Sequence, residues 1–332
     1  MMMLRVIVLA SALALVKAAP NTSRNLAGRE LGRDDRSSPS SPQCESDSTM
    51  AALDQGRSLA IRAHSFFRAN TELLTKVTTL LSRPMRQSFF FWAAYVPQHP
   101  LHGTTGSLYL DNHKCASTSI RNLLGSVLSE RCHAHCFNAI CNVSEGHPCH
   151  NLFVPPSAAY TGNPHMSPET LTAARIRKAA PFIWTMVRDP VSKFNSGVFQ
   201  VKLKDKRLRN MTADDILDKL LGAEASSWMQ VHPITFGHLE SNLAHFFEQT
   251  EDGIHVIRLL DYIGKVEDIS RGAWDAVACK LGIQSNLPHD REEKHPSDFL
   301  SSSGIRRLCG SALYKYDWPC FGYPVPKECT GS

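Results

Sequence analysis

Residues Gly106 to Leu128 read GSLYLDNHKCASTSIRNLLGSVL, and the order of residue types in this stretch decides the fold class. Gly106 to Asp111 is a short apolar run that suits a buried strand. After Asn112-His113-Lys114-Cys115-Ala116, the residues Ile120, Leu123, Leu124 and Leu128 recur on one helical face, and Ser117 or Thr118 can cap the start. The unit is strand, tight loop, helix. A second unit begins at Pro181 to Val187 (PFIWTMV), a β-branched and aromatic run too short for a helix, and ends at Arg188-Asp189-Pro190, where Pro190 suits the first turn of a following helix.

Further along, Thr212-Ala213-Asp214-Asp215 forms a capping box ahead of Ile216, Leu217, Leu220 and Leu221, with Gly222 as terminator. An apolar run from Ile254 to Ile263 precedes Gly264-Lys265-Val266-Glu267 and a helix over Trp274 to Leu281. The spacing predicts a C-terminal helix over Ile305 to Tyr314. Strands alternating with helices predict an α/β fold of three layers, a central parallel sheet flanked by helices.

The 332 residues, 42% of them apolar, suffice for a sizeable core and exclude a wholly disordered or fibrous chain. A net charge of +5 allows an anionic ligand, but over this length it is too dilute for a dedicated nucleic-acid binder. Arg5 is followed by Val6 to Val16, an apolar run shorter than a membrane span, then by Lys17-Ala18-Ala19-Pro20. Residues 1–18 therefore read as a signal peptide cleaved after Ala18, with a short membrane anchor as the alternative. Residues 19–50, rich in Ser, Asp, Arg and Pro, read as a flexible stem. The folded domain is expected over 51–330. It opens with apolar residues at helical spacing from Leu53 to Leu81, one long or two short helices ended by Pro84.

Ten cysteines, clustered at Cys132 to Cys149 and at Cys309 to Cys329, point to disulfides and an exported protein. Their pairing is not legible from spacing, and Cys115 is a candidate free thiol. Sequons at Asn21, Asn142 and Asn210 agree with passage through a glycosylating lumen. The segment CHAHCFNAICNVSEGHPCH, residues 132–150, also carries His133, His135, His147 and His150; it reads as a disulfide-stapled insertion at 130–150, and its spacing matches no standard zinc finger.

Lys114-Cys115-Ala116-Ser117-Thr118-Ser119 has the parts of a phosphate cradle: a cation, three hydroxyl side chains and the free amides of a helix start. Without the glycine spacing of a Walker loop, a lysine before an ordinary cap is by itself the commoner explanation. Arg188 stands at the C-terminal end of a strand, the side on which open parallel sheets bind ligands, with Ser196 on the next helix. Arg188 can clamp a second phosphate and Ser196 can donate to it; the plain alternative is an Arg188–Asp189 pair and a solvated Ser196.

With these residues in place, the chain resembles the PAPS-dependent carbohydrate sulfotransferases of the Golgi, including the heparan and chondroitin types. Their 5′-phosphosulfate loop, a proline-lysine pair, two variable residues, then Ser or Gly, Thr, and Ser or Thr, is similar to His113 to Ser119, with His113 in the proline position. Their RDPxxRxxS element is similar to Arg188 to Ser196, with Lys193 in the arginine position and Phe199 as the following aromatic. Asp261 to Ile269 and the pair Leu313 to Asp317 and Phe321 to Tyr323 are similar to later family elements. The resemblance implies a P-loop-like form of the α/β fold. It implies that Lys114, Cys115, Ala116, Ser117, Thr118 and Ser119 hold the 5′-phosphate, Lys114 also stabilising the leaving oxygen, and that Arg188 and Ser196 hold the 3′-phosphate.

Sulfonate transfer to an alcohol also needs a base. His165, in Gly162-Asn163-Pro164-His165-Met166-Ser167, is the preferred one by similarity to a glycine-histidine pair in uronyl-directed family members; Glu169, His147 and His150 are the alternatives. His232 is a substrate-side or structural residue, Glu267 a structural carboxylate, and His113 is assigned no chemistry. The basic run Lys202 to Arg209 is a solvated helix face or a border that attracts an acidic glycan. The expected function is transfer of sulfonate from PAPS to a glycan hydroxyl in the Golgi lumen or at its membrane, with secretion as a further destination and no catalytic metal. The rivals are a catalytically silent glycan- or nucleotide-binding protein of the same fold, and a P-loop kinase-like enzyme, against which the missing GxxxxGK[ST] loop speaks.

Overall fold

The computed structural model describes residues 44, 46–85, 93–96, 106–132, 135–137, 140–142, 153–154, 172–222, 237–247, 249–250, 252–283, 287 and 299–330. The leader and the expected stem up to residue 43 lie outside these residues, but the end of that stem is folded: Cys44 is disulfide-bonded to Cys279 and a helix begins at Asp47, so the folded part starts before residue 51. Among the described residues no helix is long and apolar enough to cross a membrane.

The helices are α1 (Asp47–Met85), α2 (Ser117–Cys132), α3 (Ala173–Ala179), α4 (Pro190–Lys204), α5 (Ala213–Leu221), α6 (Ala273–Leu281), α7 (Ser302–Gly310) and α8 (Asp317–Phe321). The strands are β1 (Ala93–Val96), β2 (Ser107–Leu110), β3 (His135–Phe137), β4 (Ile140–Asn142), β5 (Phe153–Val154), β6 (Phe182–Val187) and β7 (Tyr262–Lys265). Strands β2, β6 and β7 form the expected parallel sheet, in that order, with Tyr109 opposite Trp184 and Trp184 opposite Tyr262. The sheet is not wholly parallel: β1 adds antiparallel to β2, and β5 antiparallel to β1. A separate antiparallel pair, β3 and β4, lies within the Cys/His-rich segment and sets Cys136 opposite Cys141.

Alternation along the strands sends side chains to two cores. Tyr109, Phe182, Trp184, Met186 and Tyr262 pack with Ile120 and Leu124 of α2 and with Trp274 and Val277 of α6. Leu108, Leu110, Ile183, Val187 and Ile263 face the other way, onto Ala60, Ala63 and Phe67 of α1 and Phe321 of α8. Both faces are covered, which is why the strands read as continuous apolar runs rather than alternating ones. A third cluster joins α4, α5, α7 and α8 through Phe194, Val198, Ile216, Leu217, Leu308 and Trp318.

Local signals set several boundaries as expected. Asp189 caps α4 by accepting from Ser192 N, with Pro190 in the first turn, and Thr212 and Asp215 exchange both capping-box bonds at the start of α5. The apolar run Ile254 to Ile263 divides: Val256–Leu259 is a 3-10 turn and the strand begins at Tyr262, because Asp261 exchanges bonds with Ile183 through its backbone N–H and its carboxylate and so sets the register. One expectation changes. The C-terminal helix begins earlier and ends earlier than Ile305 to Tyr314. Ser301 caps it by accepting from Gly304 N, and it stops at Gly310 so that the chain can turn and bury Tyr314, whose hydroxyl donates to Leu239 O.

Two disulfides tie these elements together among the described residues. Cys44–Cys279 links the segment before α1 to the end of α6 across 235 residues, and Cys309–Cys329 closes the C-terminal segment; Cys115 and Cys320 are free and buried. Closing so long a loop removes much of the unfolded chain's freedom. Helix α1 reaches both cores, contributing Ala52 and Leu53 to one and Ala60 to Leu74 to the other, and it crosses β7 at Gly56.

A Cβ on Gly56 would stand 2.0 Å from the ring of Tyr262. In an exposed helix Gly→Ala stabilises by about 1 kcal/mol. Here Gly56→Ala is expected to destabilise by about 1–3 kcal/mol, the usual cost of overpacking, measured by urea unfolding; a gain in stability would show that α1 does not dock closely on β7.

Candidate functional site

The loop from Asp111 to Ala116 leaves the C-terminal end of β2 and enters α2. Its two positive φ angles belong to residues other than glycine, Lys114 at 67° and Ala116 at 60°. Each costs an L-residue roughly 1 kcal/mol or more, so the surrounding contacts must hold them there. Cys115 N–H donates to Asn112 O at 3.1 Å, and Ile120 N–H donates to Ala116 O at 3.0 Å, which closes the turn and begins the helix. The first turn of α2 carries no acidic residue, leaving the positive end of its dipole without a side-chain counter-charge there. Ser117 is buried, while Lys114, Thr118 and Ser119 are half-buried. Lys114 Nζ donates to Gln200 Oε1 at 3.0 Å, an amide on α4.

The second segment leaves β6, the strand beside β2, in the same direction. Arg188 Nη1 donates to Lys114 O at 3.4 Å, so the guanidinium braces a left-handed residue of the first loop. Arg188 does not pair with Asp189, whose carboxylate is the α4 cap and whose N–H donates to Glu267 Oε1 at 2.8 Å. Glu267 also accepts from the Tyr323 hydroxyl at 3.0 Å, and Lys265 Nζ donates to Gly322 O at 2.9 Å while lying over the Tyr323 ring. Glu267 thus braces the segment that follows Arg188 against the C-terminal turn. Ser196, on α4, is 4% exposed rather than solvated.

Beneath both segments lies a buried polar network that sequence reading missed. Asn112 Nδ2 donates to Met186 O and to Asn242 Oδ1, both at 3.0 Å, and Asn112 Oδ1 accepts from Lys193 Nζ at 2.7 Å. Asn242 grips the backbone of Arg188 from both sides, accepting from its N–H at 3.3 Å and donating to its C=O at 2.7 Å. Asp317, at the start of α8, accepts from Asn242 N, Asn242 Nδ2 and Leu243 N at 2.7 to 3.1 Å. Burial pushes the Asp317 carboxyl up to about 6 and the nearby Glu240 up to about 8, while it pushes the Lys193 ammonium down. The Cys115 thiol, 3.5 Å from Asn242 Oδ1, is pushed by burial up to about 12 and is no nucleophile at neutral pH. Cys115 turns its side chain inward and spends its N–H within the loop, so its part in any phosphate contact is small.

A histidine pair flanks the first loop. The rings of His113 and His238 lie 5.2 Å apart, and Lys204 Nζ donates to His238 Nε2 at 2.7 Å. His238 was not singled out from sequence, since nothing local marks it; Gly197 admits its backbone, for a Cβ there would stand 2.1 Å from His238 O. The basic run thus divides: Lys204 turns to His238, Arg207 pairs with Asp205 at 2.9 Å, and Leu208 is buried.

His165, Glu169, His147, His150 and His232 lie outside the described residues. Among the described residues, no cluster of His, Cys, Asp and Glu is arranged to hold a metal ion. No family model, no curated protein and no solved structure matches the chain.

Burial pushes His113 down to about 4 and His238 to about 2, from an ordinary 6.5. A depressed value favours the neutral ring in the fold, so their contribution is present above pH 6.5 and lost as pH falls toward 4. Asp317 and Glu240, raised, act in the opposite sense and lose their contribution as pH rises through about 6 and about 8. The variants isolate the histidines: between pH 6.5 and 4.5, His113→Gln and His238→Gln are expected to lose less urea stability than the parent. Parallel pH profiles would refute the assignment.

Proposed function

We propose that the chain is a PAPS-dependent carbohydrate sulfotransferase with a P-loop-like fold, transferring sulfonate to a glycan hydroxyl and releasing PAP in the secretory lumen. One observation carries this reading: the two segments that resemble the 5′- and 3′-phosphate motifs leave adjacent parallel strands at the same end and meet through the Arg188 to Lys114 bond, 74 residues apart. Open parallel sheets bind ligands at that end. Both segments also rest on the same buried amides, Asn112 and Asn242. The disulfides Cys44–Cys279 and Cys309–Cys329 support an oxidising compartment.

The donor set fits phosphate chemistry: one ammonium, one guanidinium, four hydroxyls and a helix start without a first-turn acid. PAPS supplies an activated sulfonyl group on a phosphate leaving group. On this reading Lys114 exchanges its Gln200 partner for the 5′-phosphate and offsets the charge that develops on the leaving oxygen. Ser117, Thr118 and Ser119 orient that phosphate, and Arg188 and Ser196 hold the 3′-phosphate. His165 is the preferred acceptor of the hydroxyl proton, with Glu169, His147 and His150 behind it. The acceptor is a polysaccharide or glycan, and the sign of the basic run suits an acidic one without selecting it.

Calorimetry with PAP, beside turnover of labelled PAPS with desulfated glycosaminoglycans and small phenols, tests this. Arg188→Ala should weaken PAP binding by about 2–5 kcal/mol, the cost of losing a desolvated charge contact, and Ser196→Ala by less. Lys114→Ala should also lower turnover at saturating PAPS. His165→Ala should leave PAP binding intact and slow turnover by roughly 10²–10⁴. A folded parent that binds no PAP would overturn the reading, and transfer to phenols alone would overturn the acceptor class.

A further inference from the structure

We infer that Lys193 is a positioning residue that holds the Lys114 loop in its strained form through Asn112, rather than a cation that meets the ligand. The inference rests on the reading of 113–119 and 188–196 as phosphate-binding segments. It also explains why lysine can stand where the resembling element has arginine.

Lys193 is 0% exposed, so no phosphate reaches its ammonium without displacing protein. Its Nζ lies 2.7 Å from Asn112 Oδ1, the residue two before Lys114. An ammonium only donates, so it fixes which end of the Asn112 amide is oxygen. Asn112 Nδ2 must then face Met186 O and Asn242 Oδ1, as it does. That bond in turn fixes the Asn242 amide, whose nitrogen is left to face Arg188 O and Asp317. One buried cation thus sets two amides in series, and the second holds the backbone of Arg188. Lysine suits the task because a compact ammonium on a flexible stem reaches one acceptor in a closed space and brings three N–H groups, whereas a planar guanidinium brings five in a fixed fork. The titratable groups around Lys193 come from separate parts of the chain: Cys115, Asp111 and His113 from the first loop and its strand end, Asp317 from α8, and Glu240 from the turn before Asn242, with Cys115 and Glu240 kept neutral at neutral pH by burial.

The test uses the full chain with two readouts, amide hydrogen exchange over 111–120 without ligand, and PAP affinity from pH 6 to 9.5. Lys193→Met should speed exchange over 111–120 at least tenfold while leaving α5 unchanged, and weaken PAP at least tenfold at neutral pH. In the parent, PAP affinity should fall at alkaline pH as the depressed ammonium of Lys193 is lost, in addition to any fall shared by all variants. Lys193→Arg stays charged and should lack that additional fall. Unchanged exchange and affinity in Lys193→Met overturn the inference. If Lys193→Met does not fold, unchanged exchange over 111–120 and unchanged PAP affinity in Asn112→Ala, which removes the acceptor of the Lys193 bond, overturn it. If the folded parent binds no PAP, the sulfotransferase reading fails separately, and exchange over 111–120 alone decides the positioning role.

Discussion

The side-chain amide of Asn242 makes bonds in opposite directions to the backbone of Arg188, and the geometry of both phosphate-like segments depends on that grip. A buried amide has a fixed number of donors and acceptors, and leaving one unmet costs about 1–3 kcal/mol. Asn242 therefore cannot turn over without breaking its bonds to Asn112, Arg188 and Asp317 together. The consequence is a site whose two halves come from different strands yet share one support.

That support is costly in isolation. Lys193 and Asp317 are fully buried, and burying charge in a protein interior is offset only when hydrogen bonds satisfy each group. Here three N–H donors converge on Asp317, and the Lys193 ammonium donates to Asn112. The sheet makes the arrangement affordable in geometric terms, because Tyr109 and Trp184 on neighbouring strands, with ring centroids 4.5 Å apart, hold β2 and β6 at a fixed spacing beneath the loops. Glu267 and Tyr323 then tie the second segment to β7 and to the C-terminal turn. Polar support of this kind favours one arrangement of the loops over others that burial alone would tolerate.

Much of this was legible in residue order wherever the controlling interaction is local. The strand, loop and helix from Ser107 to Cys132, the Asp189 cap with Pro190, and the Thr212 to Asp215 capping box depend on neighbours within one or two turns, so their residue types announce them. The phosphate-like character of Lys114 to Ser119 and of Arg188 to Ser196 was also visible, because cations and hydroxyls at strand ends are types that folding alone does not require. Boundaries were not legible where distant partners intervene. Asp261, bonded to Ile183, sets the start of β7 at Tyr262, and the burial of Tyr314 cuts α7 short. The short strands β1 and β5 had no signal of their own, since edge pairing is decided by the strand already present.

The sequence by itself determined the α/β class, the places where strand gives way to helix, and the residue types gathered at those places, because hydrophobic period, caps and turn chemistry act over a few residues. Only the tertiary structure decided that Lys193 points inward, that Asn112, Asn242 and Asp317 form one network, and that His238 comes to rest beside His113. The physical reason is separation along the chain. The network's side-chain bonds between Asn112 and Asn242, and between Asn112 and Lys193, span 130 and 81 residues, and a polar side chain carries no mark of which distant partner will satisfy it until the sheet has brought the two together.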